Sequence, residues 1–238
     1  MGGACESPMI PAMLRLAVII PALDAAATLP ATLGRVLAAR ALEVAPLVVD
    51  GGSRDATLAR AREGGAGAIG APRGRGSQLA AGGAAAQGDW LLFLHADTLL
   101  PPGWDATVAA FAANPANRER AGVFALRFDD PSPAARRLEA IAAWRSRRFG
   151  LPYGDQGLLI ARDFYERLGG FQALPIMEDV AMVRRIGRKR LVTLDGHVTT
   201  IAARYRRSGY VPRMLRNLAC LTLYFAGLPP RLIARLYG

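Results

Sequence analysis

Four short stretches of the chain carry side chains whose types and spacing suit chemistry. His95-Ala96-Asp97 ends an apolar run over 90–94. A carboxylate two residues from an imidazole offers oxygen and nitrogen to a divalent cation; the plainer reading is a polar cap on a strand end. Asp50-Gly51-Gly52-Ser53 ends a second apolar run, over 46–49. Its glycine pair allows a ligand close to the backbone, and Asp50 needs a partner because an unpaired buried charge is costly. Glu178-Asp179 opens a helical pattern, where the helix dipole favours anions. Arg73 and Arg75 lie in a Gly/Arg/Pro loop over 70–76 and suit bidentate contact with phosphate. Ser77 and Gln78 carry that loop into a helix N-terminus, a place for an anion or for ordinary capping.

These groups need elements to position them. Runs over 16–20, 46–49 and 90–94 lack polar alternation and read as strands buried on both faces, with a shorter one over 66–69. Helical patterns lie between them. The first starts near Thr28, has Pro30 in its first turn and keeps Leu33, Val36, Leu37 and Leu42 at roughly helical spacing. The second covers 56–63 behind a Ser53 or Asp55 cap, and the third, Ala-rich, covers 77–87. Such alternation predicts a doubly wound α/β sheet, which binds ligands at the carboxyl ends of its strands. Asp50 and Asp97 stand at two such ends.

Past Asp97 the rhythm changes. The spacing predicts a helix over 102–114 with Trp104, Val108 and Phe111 on one face, then a strand over 122–128 in a mixed part of the sheet. A basic helix over 132–149 should turn Leu138, Ile141 and Trp144 inward. Gly154-Asp155-Gln156-Gly157 reads as a loop leading into a strand. A short helix from Asp163 ends at the Gly169-Gly170-Phe171 turn. Short strands near 191–194 and 198–202, a helix over 211–226 and a last helix beyond Pro230 close the chain.

Composition narrows the classes. Hydrophobic residues at 52% and charged residues at 21% indicate a globular fold and exclude wholesale disorder. Thirty basic against 19 acidic residues give +11, which favours anionic partners, and the surplus gathers after Arg184. Cys5 and Cys220 stand outside any C-x-x-C spacing, so a disulfide framework and a structural zinc site are not expected. Residues 1–11 read as a loose leader. A secretory signal is not expected, nor a spanning helix, and a reducing, cytoplasmic setting follows as the expectation.

Together the stretches resemble family 2 glycosyltransferases. Residues 18–24, Val-Ile-Ile-Pro-Ala-Leu-Asp, are similar to that family's opening strand, and residues 48–55 to its second strand with the Asp-x-Gly-Ser turn. Phe93-Leu94-His95-Ala96-Asp97 resembles its Asp-x-Asp metal segment, Met177-Glu178-Asp179-Val180 its Glu-Asp helix start, and Gly169-Gly170-Phe171 the turn before that helix. The resemblance spans roughly 15–190 and is nearest to a subgroup with a His-Ala-Asp triplet. It implies a GT-A fold, a mixed doubly wound sheet, and transfer of a sugar from a nucleotide-diphosphate-sugar to an acceptor hydroxyl with inversion. It also implies Mn²⁺ or Mg²⁺ held by Asp97 with His95, and a nucleoside, commonly uridine, along Pro21, Ala22, Asp24, Asp50, Gly51 and Ala96. Arg75 and Gln78 would attend the phosphates, and Asp179 would act as general base, with Glu178 its rival. An acceptor could lie against Asp155 and Gln156, and Trp144 and Tyr153 could stack on a sugar ring; packing is the alternative for all four. The departure is His95, where an aspartate is usual, which bears on the preferred metal.

Two rivals stand beside this reading. A nucleotidyltransferase would want a Gly-rich basic loop directly after the first strand, where Pro21-Ala22-Leu23-Asp24 stands. A nucleic-acid-binding module would want aromatics interleaved with the basic residues, so nucleic acid is not the expected partner. The catalytic domain is expected over 1–203, with a basic, apolar helical extension over 204–238 packed on it. That extension is read as a closing helix, with weak contact to an anionic membrane surface as the alternative.

Overall fold

The computed structural model describes residues 14–237. Four parallel strands, β1 (Arg15–Ala22), β2 (Glu43–Asp50), β3 (Gly67–Gly70) and β4 (Trp90–Phe93), alternate with α1 (Leu29–Leu37), α2 (Thr57–Glu63) and α3 (Arg75–Ala85). The expected alternation is present. Val18, Ile19, Ile20, Trp90, Leu91 and Leu92 are fully buried, which is why these runs show no polar alternation.

The second half is mixed. It contains β5 (Thr98–Leu99), α4 (Trp104–Ala113), β6 (Ala121–Phe128), α5 (Pro133–Phe149), β7 (Leu158–Ala161), α6 (Arg162–Arg167), α7 (Glu178–Ile186) and β8 (Leu191–Thr200). The chain closes with α8 (Ala203–Ser208), α9 (Tyr210–Phe225) and α10 (Pro230–Tyr237). Strand order is β3-β2-β1-β4-β7-β6-β8-β5, with β7 antiparallel to both β4 and β6. The order reverses between β1 and β4, which opens a crevice at their carboxyl ends. A second apolar cluster joins α7 to the closing helices through Val180, Val183, Cys220, Leu221 and Ile233.

Several expectations need correction. Ile141 and Trp144 do not point inward: they are 41% and 55% exposed, and α5 buries Ala135 and Ala142 instead. Small residues let α5 lie close to the sheet, so its large apolar side chains fall on the outer flank. Leu37 is likewise exposed at the end of α1. The two late strands are one strand, β8, whose pairing with β6 shifts register between Val123 and Ala125. Such a shift absorbs the break in the apolar pattern. Helix α3 begins at Arg75, two residues early. Neither Ser53 nor Asp55 is the N-cap of α2; Ala56 is, although Asp55 accepts from the Thr57 N–H and hydroxyl. Strand β5 and helix α8 were not foreseen. The leader over 1–11 and Cys5 lie outside the described residues; Cys220 is a buried free thiol.

Candidate active site

The carboxyl end of β4 releases the chain into His95-Ala96-Asp97, beside the 3₁₀ turn Gly154–Gln156. A Cβ added at Gly154 would stand 2.8 Å from His95 Nε2 and 3.7 Å from Asp179 Oδ2. A side chain at 154 would push on the His95 ring, so the glycine lets the turn lie close against it. The Gly154 N–H donates to Asp179 Oδ2 at 3.0 Å. Asp179 is the second residue of α7, and the Val180 N–H lies 2.7 Å from its Oδ1. These two N–H groups fix the orientation of the Asp179 carboxyl group.

Arg75 joins the site from the other side. Its Nε donates to Glu178 Oε1, and its Nη2 lies 3.6 Å from Asp179 Oδ2. Gly76 makes this approach feasible, since a Cβ there would stand 2.4 Å from the Leu174 carbonyl oxygen. Glu178 is 1% exposed and its Oε2 has no hydrogen-bond partner. Burial pushes the Glu178 carboxyl upward, with Arg75 opposing and Asp179 adding to the rise. Together Arg75, His95, Tyr153, Gly154, Glu178 and Asp179 line one pocket whose floor is apolar, with Leu79, Phe93, Leu94 and Phe171.

Asp155 borders the same ensemble. Its Oδ1 is buried without a hydrogen-bond partner. Burial raises its carboxyl to about 6, Arg145 opposes the rise, and the negative charges of Asp179 and Asp97 add to it. Asp97 and Asp179 therefore share a neighbour, although they come from different strands and helices. Gln156 is buried and internally satisfied. Its amide donates to the Phe124 carbonyl at 2.9 Å, and its carbonyl accepts from the Ser146 hydroxyl at 2.9 Å. The Arg145 guanidinium stacks on the Tyr153 ring at 3.4 Å. The sequence reading missed Arg145, whose only signal was its place in a basic helix. Trp144 stays outside the pocket and meets Phe149 edge-on.

The ends of β1 and β2 form the adjoining part of the crevice. Asp50 is buried and accepts from the Gly52 and Ser53 N–H groups and from the Ser53 hydroxyl. Ser53 Oγ accepts from the Asp24 N–H at 2.9 Å, and Asp24 Oδ1 accepts from the Arg54 N–H at 2.8 Å. The turns after β1 and β2 are thus latched together. Gln78 holds the same edge from below: its amide donates to the Ala22 and Val49 carbonyls, both at 2.7 Å. Gly51 lies against that side chain, at 3.0 Å from a Cβ placed on it. With β1 between β2 and β4, Asp50 stands two inter-strand spacings from the end of β4, roughly 10 Å. Asp24 and Met177, the two non-glycine residues with positive φ among the described residues, sit in turns bordering this crevice. Such backbone conformations gather where a site over-determines them.

For a divalent cation the donors at hand are the Asp97 carboxylate and the His95 imidazole. No group of three or more His, Cys, Asp or Glu suited to a metal occurs among the described residues. That set fits an ion that keeps water and takes phosphate oxygens besides one or two protein ligands, and does not fit an all-protein cage.

Comparison with known proteins follows the same lines. No curated protein matches the chain in sequence. Among solved structures, glucosyl-3-phosphoglycerate synthase from Mycobacterium tuberculosis, in complex with Mn²⁺ and UDP-glucose, superposes with a TM-score of 0.62 at 20% identity over 91% of this chain and 80% of that one. A mannosyltransferase from Pyrobaculum calidifontis, in complex with GDP-mannose and Mn²⁺, gives 0.66 at 20% identity over 95% and 70%. At that identity the likeness carries the fold, a GT-A-like mixed sheet with a helical C-terminal portion. Residues 17–162, which run from within β1 through β7 and carry Asp50 and Asp97, match glycosyl transferase family 2. The chain belongs to glycosyl transferase family 2.

Proposed function

We propose that the protein is an inverting, divalent-cation-dependent glycosyltransferase that moves a sugar from a nucleotide-diphosphate-sugar, read as UDP-linked, to an acceptor hydroxyl. One observation carries the reading: Gly154 is wedged between His95 and Asp179, so the end of β4 and the start of α7 face one pocket in a chain of this family. The solved relatives that bind Mn²⁺ with UDP-glucose or GDP-mannose support the donor class and the cation.

The roles follow from the geometry. Asp179 is the base, because its carboxylate is oriented by the Gly154 N–H and partly open, at 12% exposure. It would take the acceptor proton as the hydroxyl attacks the anomeric carbon. Glu178 is sealed at 1% and tied to Arg75, which suits a positioning group better than one that meets substrate. Asp97 and His95 would hold the cation. When bound, that cation neutralises charge building on the leaving diphosphate. Arg75, whose side chain is 40% exposed at the pocket, suits contact with phosphate.

Asp50, Asp24, Pro21, Ala22, Gly51 and Ala96 would line the nucleoside. Ser53 and the turn N–H groups fix the Asp50 carboxylate for a donor on the base. Gln78 serves by holding the ends of β1 and β2 in place. On the acceptor side, Tyr153 lines the pocket and Asp155 borders it, while Gln156 sets the turn. The test is thermal-shift screening of nucleoside diphosphates and their sugars, with and without Mn²⁺. A nucleotide and Mn²⁺ together should raise Tm more than either alone. Stabilisation by no nucleotide under any condition would overturn the proposal.

A further inference from the structure

Residues 196–238 carry seven arginines and no Asp or Glu, +7 of the formal +11. Where described, this run folds mainly into α8, α9 and α10. Helix α9 buries Cys220 against the cluster that holds α7. Its opposite side carries Val211, Leu215, Leu218, Thr222 and Phe225 at helical spacing. The four apolar members of that stripe are exposed by 60%, 55%, 56% and 49%. No charged side chain interrupts it. Helix α10 repeats the arrangement: Ile233 is fully buried, while Leu232 and Leu236 are 44% and 61% exposed. Arg231 and Arg235 are exposed beside those leucines.

An uncharged apolar stripe in water is a cost that burial would remove, at about 25 cal/mol per Å². The surrounding charge decides what can bury it. Arg206 is answered within the chain by Asp129, but a second copy would set its own exposed Arg231 and Arg235 against this face, where residues 196–238 offer no acidic partner, and like charges disfavour that contact. An acidic lipid surface offers both an apolar layer for the leucines and phosphates for the arginines. No helix among the described residues is long and apolar enough to cross a membrane. We infer that α9 and α10 dock this protein on an anionic membrane surface, with the exposed apolar side chains in the interfacial layer and Arg231 and Arg235 on the head-group phosphates. The docked face is the outer side of the helices whose inner side braces α7.

The test is flotation of the full chain with vesicles of phosphatidylcholine alone and with roughly one-third phosphatidylglycerol. Partition into the anionic vesicles, weaker with neutral ones and reduced by salt, is expected. The double substitution Leu215→Glu with Leu218→Glu should lower it by about tenfold or more. Thermal melting checks that this variant is folded, and Leu232→Glu with Leu236→Glu on α10 provides a second pair. Full chain that ignores anionic vesicles would overturn the inference, as would folded variants that float like the parent. A parent dimer that the same substitutions dissociate, seen by light scattering, would assign the face to a second copy instead.

Discussion

Arg75 and Glu178 stand 103 positions apart in the chain and meet as an ion pair in the pocket, Arg75 at the start of α3 and Glu178 at the start of α7. The pair ties the doubly wound half of the sheet to the helix that carries Asp179. It also sets the charge of the pocket, because Glu178 is 1% exposed and its Oε2 has no hydrogen-bond partner.

Arg75→Met should therefore strand a buried carboxyl. The expected loss is about 1–3 kcal/mol in urea denaturation, kept modest because Arg75 is 40% exposed and partly screened. Adding Glu178→Gln should recover most of it. If the double variant is no more stable than Arg75→Met alone, the pair is not what couples the two helices.

The Asp155 carboxyl makes stability depend on pH with a definite sign. Burial raises it from 3.8 to about 6. Below that window the group is protonated in both states and costs nothing. Through the window the unfolded chain releases its proton while the folded chain keeps it, so stability falls as pH rises. Asp155→Asn should flatten part of that decline and stabilise the protein above pH 6 by up to about 3 kcal/mol. Denaturation midpoints measured at pH 4, 5, 6 and 7 settle the matter; parallel curves for parent and variant would refute it.

Asp97→Ala and Asp179→Asn should separate binding from proton removal. Both should lower sugar transfer, the second by about 10²-fold or more in kcat, and only the first should weaken nucleotide-sugar binding in the presence of Mn²⁺. Steady-state kinetics with calorimetric binding reads both effects. Full turnover by either variant removes that residue from its proposed role.

Gln78→Leu should destabilise by about 1–3 kcal/mol, because it removes the amide donor shared by the Ala22 and Val49 carbonyls at the adjoining ends of β1 and β2, leaving the Ala22 carbonyl only the Gly51 N–H. The nucleoside edge is then loosened, so the KM for the donor should rise more than kcat falls. An unchanged donor KM would show that the staple does not shape the site.

Trp144→Ser should change stability by less than about 0.5 kcal/mol, since the side chain lies on the outer flank of α5 and is 55% exposed. A loss of several kcal/mol, read from chemical denaturation, would restore the inward placement that the helical pattern of α5 had predicted.

The sequence by itself determined the strands and the turns that end them. The apolar run over 90–94 reads as a strand buried on both faces, and Gly51-Gly52 after Asp50 reads as a tight turn, because residue type and nearest neighbours weigh heavily in those choices. The carboxylates at strand ends and at the start of α7 were legible for the same reason, and so was the family resemblance they carry. Tertiary structure decided what depends on distant partners. Gly154 reads as an ordinary loop glycine until His95 and Asp179 close on either side of it. Gln78 reads as an anion-facing residue until the Ala22 and Val49 carbonyls take its amide. Trp144 and Ala142 share a helix, yet only the packing of α5 on the sheet shows which side is inside. Local pattern fixes backbone conformation because those energies are short-ranged. Side-chain partnership is fixed by contacts that chain proximity does not encode, and in this protein the proposed chemistry rests on those contacts.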